Sequence, residues 1–426
     1  LLRMRQAAFA MIEMARQRNL PVIVAGSDAS DHAPAYLEAG ADYVLLGEEE
    51  ATLAELLDRL TDRSQTPLAQ ILGLAYMDGS QPRLNPRRPI LNNIDELPFP
   101  AWDLVNVENY RQLWQERHGY YSMNMVTTRG CPYHCNWCAK PIWGQRYQAR
   151  GPQNVAAEMK WLKDNYRPDH IWFADDIMGL KPGWWQEFAE AVEADAAHIP
   201  FKCLSRADLI VRQDDNVHAL RRAGCQIVWL GAESGSQKIL DAMEKGTTID
   251  QIYQASQRLR EAGVQVGFFL QFGYPGETWA DIQQTLQMVR DCRPDDIGMS
   301  VSYPLPGTQF YENVKLQLGE KQNWQDSADL AMMYRGPFTT AFYRQLHKVL
   351  HKEFRSRRTW WTWQRLWRTP QQLNRSHWRE LAASLFRVAT LPVAYHRLKK
   401  LAQIPHDGLI AAPHMPQAEA ARPSPQ

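Results

Sequence analysis

Cys131, Cys135 and Cys138 stand in the run Thr128-Arg129-Gly130-Cys131-Pro132-Tyr133-His134-Cys135-Asn136-Trp137-Cys138, directly after the extended stretch Met123 to Thr127. A cubane iron–sulfur cluster presents four irons, and a short loop carrying three thiolates holds three of them at one corner of a sheet. The nearest other cysteine is the distant Cys203, so a local fourth thiolate is missing and one iron stays open to a substrate or cosubstrate. The same three cysteines with His134 would make a structural zinc site, although the adjacent His134 and Cys135 are poorly placed to share a tetrahedron. A redox disulfide is the third reading.

Such a loop needs a scaffold. With 426 residues the chain can bury at least one large core, and two or three modules are expected. The net charge of +1 gives no argument for nucleic acid. Six cysteines, three clustered and three scattered (Cys203, Cys225, Cys292), do not form a secreted disulfide framework, and a reducing cytoplasm fits them best. No apolar run reaches the roughly 18 residues of a membrane span, and no signal peptide is visible. The chain begins with Leu1 inside an apparent helix, Leu1 to Arg18, so an amino-terminally incomplete sequence is expected.

From Ser122 to about Pro306, six apolar stretches alternate with helical ones. The strands are expected near Met123 to Thr127, His170 to Ala174, Phe201 to Leu204, Gln226 to Leu230, Val264 to Phe272 and Ile297 to Tyr303. Thr248 with Gln251 reads as a capping box for the fifth helix. The fold class is therefore α/β: a partial (βα)6 barrel, open on one side. In front of it, short strands and helices over residues 1–62 predict a truncated Rossmann-like half domain. Residues 63–120 read as a linker with a short hairpin (Ile71 to Met77, then Asp78-Gly79), and 121–330 as the barrel. A basic helical region follows at 331–404, and a disordered tail rich in Pro and Ala at 405–426.

In a parallel barrel the reacting groups gather at the carboxyl ends of the strands. The first strand ends at the cysteine loop, the second in Asp175-Asp176, the third in Ser205-Arg206, the fourth in Gly231-Ala232-Glu233-Ser234-Gly235 and the fifth in Gly273-Tyr274-Pro275-Gly276-Glu277. The C-x3-C-x2-C spacing with Trp137 before the last cysteine, together with these strand-end runs, resembles the radical S-adenosylmethionine (SAM) superfamily over about 185 residues. The resemblance implies a [4Fe-4S] cluster on Cys131, Cys135 and Cys138. SAM would chelate the open iron and be cleaved reductively to methionine and a 5'-deoxyadenosyl radical. It also implies that Asp175 or Asp176 holds the methionyl amine, Arg206 the carboxylate and Glu233 the ribose, with Trp137 beside the cofactor. Each has a structural alternative: Asp175-Asp176 as a helix cap, Arg206 paired with Asp208, Glu233 as a cap for the helix near Ser236. Gly276-Glu277 reads as a turn and helix start.

The half domain extends the resemblance to the cobalamin-binding group of that superfamily. Gly26-Ser27-Asp28-Ala29-Ser30 and the later Gly47-Glu48 lie at the ends of its two strands, where small residues leave room for a nucleotide tail. Gly26, Ser30, Gly47 and Glu48 are the implied cobalamin contacts. No Asp-x-His-x-x-Gly motif for a lower ligand occurs in the chain. A purely structural half domain is the alternative.

From Arg335 to Lys400, 15 Lys and Arg stand against two acids, Glu353 and Glu380. Trp360, Trp363 and Trp367 share a helix face by their spacing. That face suits either packing over the open side of the barrel or a membrane interface with anionic headgroups; RNA is a third option. Taken together, the resemblance implies a cobalamin-dependent radical SAM enzyme that methylates an unactivated carbon. The expected partners are a small-molecule substrate, lipophilic if the membrane face is used, a flavodoxin- or ferredoxin-type electron donor, and peripheral contact at the inner face of the membrane from the cytoplasm. Oxidative cyclisation of a tetrapyrrole, as in the anaerobic Mg-protoporphyrin ester cyclases, is the runner-up. A non-catalytic iron–sulfur carrier is the rival of another class. Methylthiotransferases carry a second, upstream cysteine trio, and no cysteine precedes Cys131 here.

Overall fold

The computed structural model describes residues 2–138, 146–212, 215–318, 330–366 and 375–404. The disordered tail expected at 405–426, and Trp367, lie outside them.

Two sheets organise the chain. In the amino-terminal one, β1 (Ile23–Val24) and β2 (Tyr43–Leu45) are parallel, and β3 (Leu74–Asp78) and β4 (Gln81–Leu84) add an antiparallel hairpin in the order β1-β2-β3-β4. This corrects the reading of residues 63–120. The hairpin is present, but Tyr43 pairs with Tyr76 and Leu45 with Leu74, so the sheet runs past residue 62 instead of ending there. The reason is burial. Leu74, Ala75 and Tyr76 cover Leu45, Leu56 and Ile71 on one face and Val44 on the other, and a free hairpin would leave those apolar faces wet.

After a strap of 3-10 turns and the helix Val107–His118 comes the larger sheet. Its strands are β5 (Ser122–Met125), β8 (His170–Phe173), β9 (Phe201–Ser205), β10 (Cys225–Glu233), β11 (Gln265–Phe272) and β12 (Asp296–Val301). They are all parallel, in the order β12-β11-β10-β9-β8-β5. A small antiparallel pair, β6 (Thr128–Arg129) with β7 (Gln148–Ala149), brackets the cysteine loop. The six expected strands are all found, as an open, curled parallel sheet. Helices cover its outer face: Phe173, Phe188 and Phe201 meet edge to face, and Trp184 and Trp185 are both 2% exposed. The capping box at Thr248 is formed, with Thr248 N donating to Gln251 Oε1 at 2.9 Å.

Beyond β12 the chain is helical, in Thr340–Leu366 and Arg375–Ala402. Phe342, Tyr343, Leu346, Val349, Leu350 and Phe354 join the main core. These residues, more than the tryptophans, seal the region beside β12. Trp363 meets Trp378 with ring centres 4.8 Å apart, while Trp360 stays 61% exposed.

Candidate functional site

The cysteine loop leaves the end of β5 and is pinned from below. Asp175, at the end of β8, accepts Thr127 N at 2.6 Å, Thr127 Oγ1 at 2.6 Å and Thr128 N at 2.9 Å. Burial pushes its pKa up to about 6 in spite of these bonds. Asp175 therefore faces the protein, and Asp176 is the exposed member of the pair. Gly130, with φ of +78°, makes the turn into Cys131 that a side chain would strain.

From above, the loop is held by Asn136, which sequence reasoning missed. Its backbone N donates to Met243 O at 3.1 Å and its O accepts from Phe310 N at 3.0 Å. Its Nδ2 donates to Ala242 O at 2.8 Å, and its Oδ1 accepts from Tyr274 OH at 2.8 Å. One residue between Cys135 and Cys138 thus ties the loop to the segments following β10, β11 and β12. No local signal announces this, because the partners lie far off in sequence.

Arg206 is buried, with its ring-like plane 3.6 Å from the centre of Tyr133. Its Nε donates to Asp208 Oδ1 at 2.8 Å, and Nη2 donates to Lys245 O at 2.7 Å and Thr247 Oγ1 at 2.9 Å. Nη1 stands 4.0 Å from Cys135 Sγ. The pairing with Asp208 weighed as an alternative is the one formed, and the guanidinium also brings positive charge beside a cluster thiol.

Glu233 sits at a bulge in β10 with φ of +54°, a conformation costly for a residue with a side chain and found where surroundings impose it. Its carboxylate is buried against Lys245 Nζ at 2.8 Å. Gly231 leaves room for this pair, since a Cβ there would stand 2.6 Å from that Nζ. Lys245 was not singled out from sequence; the flanking glycines of Gly231-Ala232-Glu233-Ser234-Gly235 were the available hint of a bulge. Trp137 is half-buried and packs on the main core, with Lys245 Nζ 6.0 Å from its ring centre. Glu277 acts in its turn, its Oε2 accepting Gly273 N at 2.7 Å, and burial pushes its pKa up to about 8.

The concave face of the sheet is aromatic. Trp229 stacks on Phe269 with centres 4.6 Å apart, and Phe269 is 37% exposed. Gly267 lets the indole lie flat, as a Cβ there would stand 2.5 Å from it. Lower on the same face Lys202 Nζ lies 3.8 Å over the Trp172 ring.

In the half domain, Gly26 and Gly47 have φ of +108° and +83°, and a Cβ at either would meet nothing within 4 Å. Ser30 is turned inward, its Oγ accepting Gly47 N at 3.0 Å and donating to Leu45 O at 3.3 Å, so it joins the two strand ends. Glu48 is likewise engaged, accepting Leu91 N at 2.5 Å and Arg129 Nη1 at 2.9 Å. Arg129 also reaches Glu50, so the residue two before Cys131 braces the half domain against the cysteine loop.

These features can be tested against the groups the sequence implied. Among the described residues, no three His, Cys, Asp or Glu are grouped to hold a metal ion. A mononuclear zinc site asks its sulfurs to converge within about 2.3 Å of one point; a cubane does not, because each thiolate meets its own iron. The three cysteines are partly exposed, whereas Cys203, Cys225 and Cys292 are buried in the core, so the trio fits a cluster with one iron unligated by sulfur. Gly26 and Gly47, where a Cβ would meet nothing within 4 Å, are compatible with a cofactor tail at these two strand ends.

The Radical SAM superfamily model matches residues 125–289. An uncharacterized methyltransferase of Pyrococcus horikoshii is 28% identical over 74% of this chain and 66% of its own length. An anaerobic magnesium-protoporphyrin IX monomethyl ester cyclase of Synechocystis is 26% identical over 79% and 67%. Among solved structures, the cobalamin-dependent SAM radical enzyme OxsB superposes with a TM-score of 0.66 at 18% identity, covering 92% of this chain and 62% of that one. The methyltransferase TsrM of Kitasatospora setae, with cobalamin and a [4Fe-4S] cluster bound, gives 0.62 at 21%, covering 73% and 63%. The chain thus spans about two thirds of the length of these relatives. With the match running from the end of β5 through the cysteine loop to the helix after β11, the chain carries a domain of the radical SAM superfamily.

Proposed function

We propose that this chain belongs to a cobalamin-dependent radical SAM enzyme that methylates an unactivated carbon of an apolar substrate. The observation that carries the reading is the cysteine trio, held at the strand ends by Asn136 and Asp175 while the other three cysteines are buried. When bound, the cluster supplies the electron that cleaves SAM to methionine and a 5'-deoxyadenosyl radical, and cobalamin supplies a methyl carrier. Cys131, Cys135 and Cys138 hold three irons. Arg206 places positive charge beside Cys135, which favours the more negative, reduced state of the site. Asp176 is exposed where a methionyl amine needs a carboxylate. Glu233, carried out of the strand by its bulge and held by Lys245, is poised for a ribose hydroxyl. Gly26 and Gly47 offer backbone to the cobalamin tail, while Ser30 and Glu48 shape that edge from behind.

The Trp229–Phe269 floor supports an apolar, flat-faced substrate. The same floor favours one second reading, oxidative cyclisation of a tetrapyrrole, and the similarity to the cyclase over 79% of this chain supports it as well. A flavodoxin- or ferredoxin-type reductant, and a cytoplasmic site of action with peripheral membrane contact, go with either. Anaerobically reconstituted protein incubated with SAM and dithionite is expected to release 5'-deoxyadenosine. No release over the level of a Cys131→Ala variant would overturn the proposal.

A further inference from the structure

The last helix, Arg375–Ala402, is apolar on two sides. Its inner side packs on the molecule through Ser384, Leu391, Ala394, Tyr395 and Leu398. That docking is firm: Glu353 accepts Arg290 Nε at 2.6 Å and Arg357 Nε at 2.9 Å, Tyr395 OH donates to Glu353 at 2.5 Å, and Gln345 Nε2 donates to Ala394 O at 3.0 Å. The outer side carries Trp378, Ala382, Leu385, Ala389 and Val393, at steps of three and four that keep them on one stripe. Trp378 is 57% exposed, Leu385 65%, Val393 71% and the neighbouring Phe386 70%. At about 1.5 Å per residue the stripe is roughly 22 Å long.

Both ends of this stripe are cationic. Helical spacing puts Arg375 and Arg379 beside Trp378, and Arg397, Lys399 and Lys400 beyond Val393, on the same outward side, and all five are exposed. The single acid of the helix, Glu380, lies around the back and pairs with Arg387 at 3.3 Å. A second copy of the chain would bring cation against cation, whichever way the two helices ran. An anionic bilayer complements the pattern instead: apolar side chains enter the headgroup boundary while Lys and Arg at the two ends meet phosphates.

We infer that the outward stripe of the last helix is a docking surface for anionic lipid, on which the molecule lies without crossing. Among the described residues no helix is long and apolar enough to span a membrane. The face predicted from sequence, Trp360 with Trp363 and Trp367, gives way to this one because Trp363 is turned against Trp378. Trp360 remains exposed. The inference deepens the membrane contact proposed above and rests on that part of the reading. Its test needs no cluster, so its failure would leave the radical chemistry untouched.

The test is co-sedimentation of the full chain with vesicles of phosphatidylcholine alone and of phosphatidylcholine with phosphatidylglycerol. The expected result is partition at least about tenfold stronger onto the anionic vesicles, weakened by salt. The pair Leu385→Glu with Phe386→Glu is expected to lower it at least about tenfold again with the melting temperature unchanged, since both side chains are exposed. Absence of partition, or partition indifferent to the two glutamates, would overturn the inference. So would a dimer in light scattering that the same pair dissolves, which would name a second copy as the occupant.

Discussion

The parallel strands of the two sheets end differently. In the amino-terminal sheet the two parallel strands run into glycines with positive φ, Gly26 and Gly47. In the larger sheet they finish in charged residues that are already answered: Asp175 by Thr127 and Thr128, Arg206 by Asp208 and Thr247, Glu233 by Lys245, Glu277 by Gly273. A charge at a barrel strand's end is thus not in itself a ligand contact. Here Asp175 and Arg206 build the seat of the cysteine loop, while Glu233 and Glu277 are held within their own strand-end turns.

The sharpest way to break this contrast is to unbalance an answered charge. Lys245→Met leaves Glu233 buried without a partner and is expected to cost about 3–5 kcal/mol in denaturant unfolding. Adding Glu233→Gln should restore much of that loss. If Lys245→Met unfolds at the denaturant midpoint of the parent chain, the pair does not hold that strand end.

A smaller effect is expected at Asn136. Asn136→Ala removes the side-chain bonds to Ala242 and Tyr274, a loss of about 1–3 kcal/mol concentrated at the cysteine loop. Iron retained through anaerobic gel filtration should fall severalfold, and Tyr274→Phe should do the same more weakly. Retention equal to the parent's would show that the loop holds its shape unaided.

A third effect concerns pH. Burial holds Glu277 protonated up to about 8, against an ordinary value of 4.5. An acid whose folded value is raised gives stability that is complete below its ordinary value and is lost as pH rises through the folded one. The chain should therefore lose stability between about pH 5 and 8 through this group. Glu277→Gln keeps the acceptor for Gly273 N and removes the titration, so it should narrow the fall in melting temperature over that window by a few degrees. An unchanged pH profile would assign the loss to other groups.

Much of this arrangement could be read from the chain alone. Periodicity disclosed the six barrel strands, because each places buried apolar residues such as Ile171 and Phe173 or Val228 and Leu230 between helical stretches, and the three-cysteine spacing disclosed the loop. The capping box at Thr248 was legible because its partner is three residues away. Asn136 and Lys245 were not legible, since their partners are set by which strand ends the barrel brings side by side. The hairpin at Leu74 was recognisable as a hairpin, but its pairing with Tyr43 depends on apolar faces that only the folded sheet brings together. The tryptophans of the tail were visible by spacing, whereas the stripe on the following helix emerges only once its inner side is known to be docked.

The central claim is a cubane on three cysteines with one iron open to SAM, and electron paramagnetic resonance of the anaerobically reconstituted, dithionite-reduced chain tests it most directly. The account predicts a reduced [4Fe-4S] signal that SAM visibly perturbs and that disappears when Cys131, Cys135 and Cys138 are replaced by Ala. A signal indifferent to SAM, or a chain that takes up one zinc ion and no iron–sulfur cluster, would contradict it.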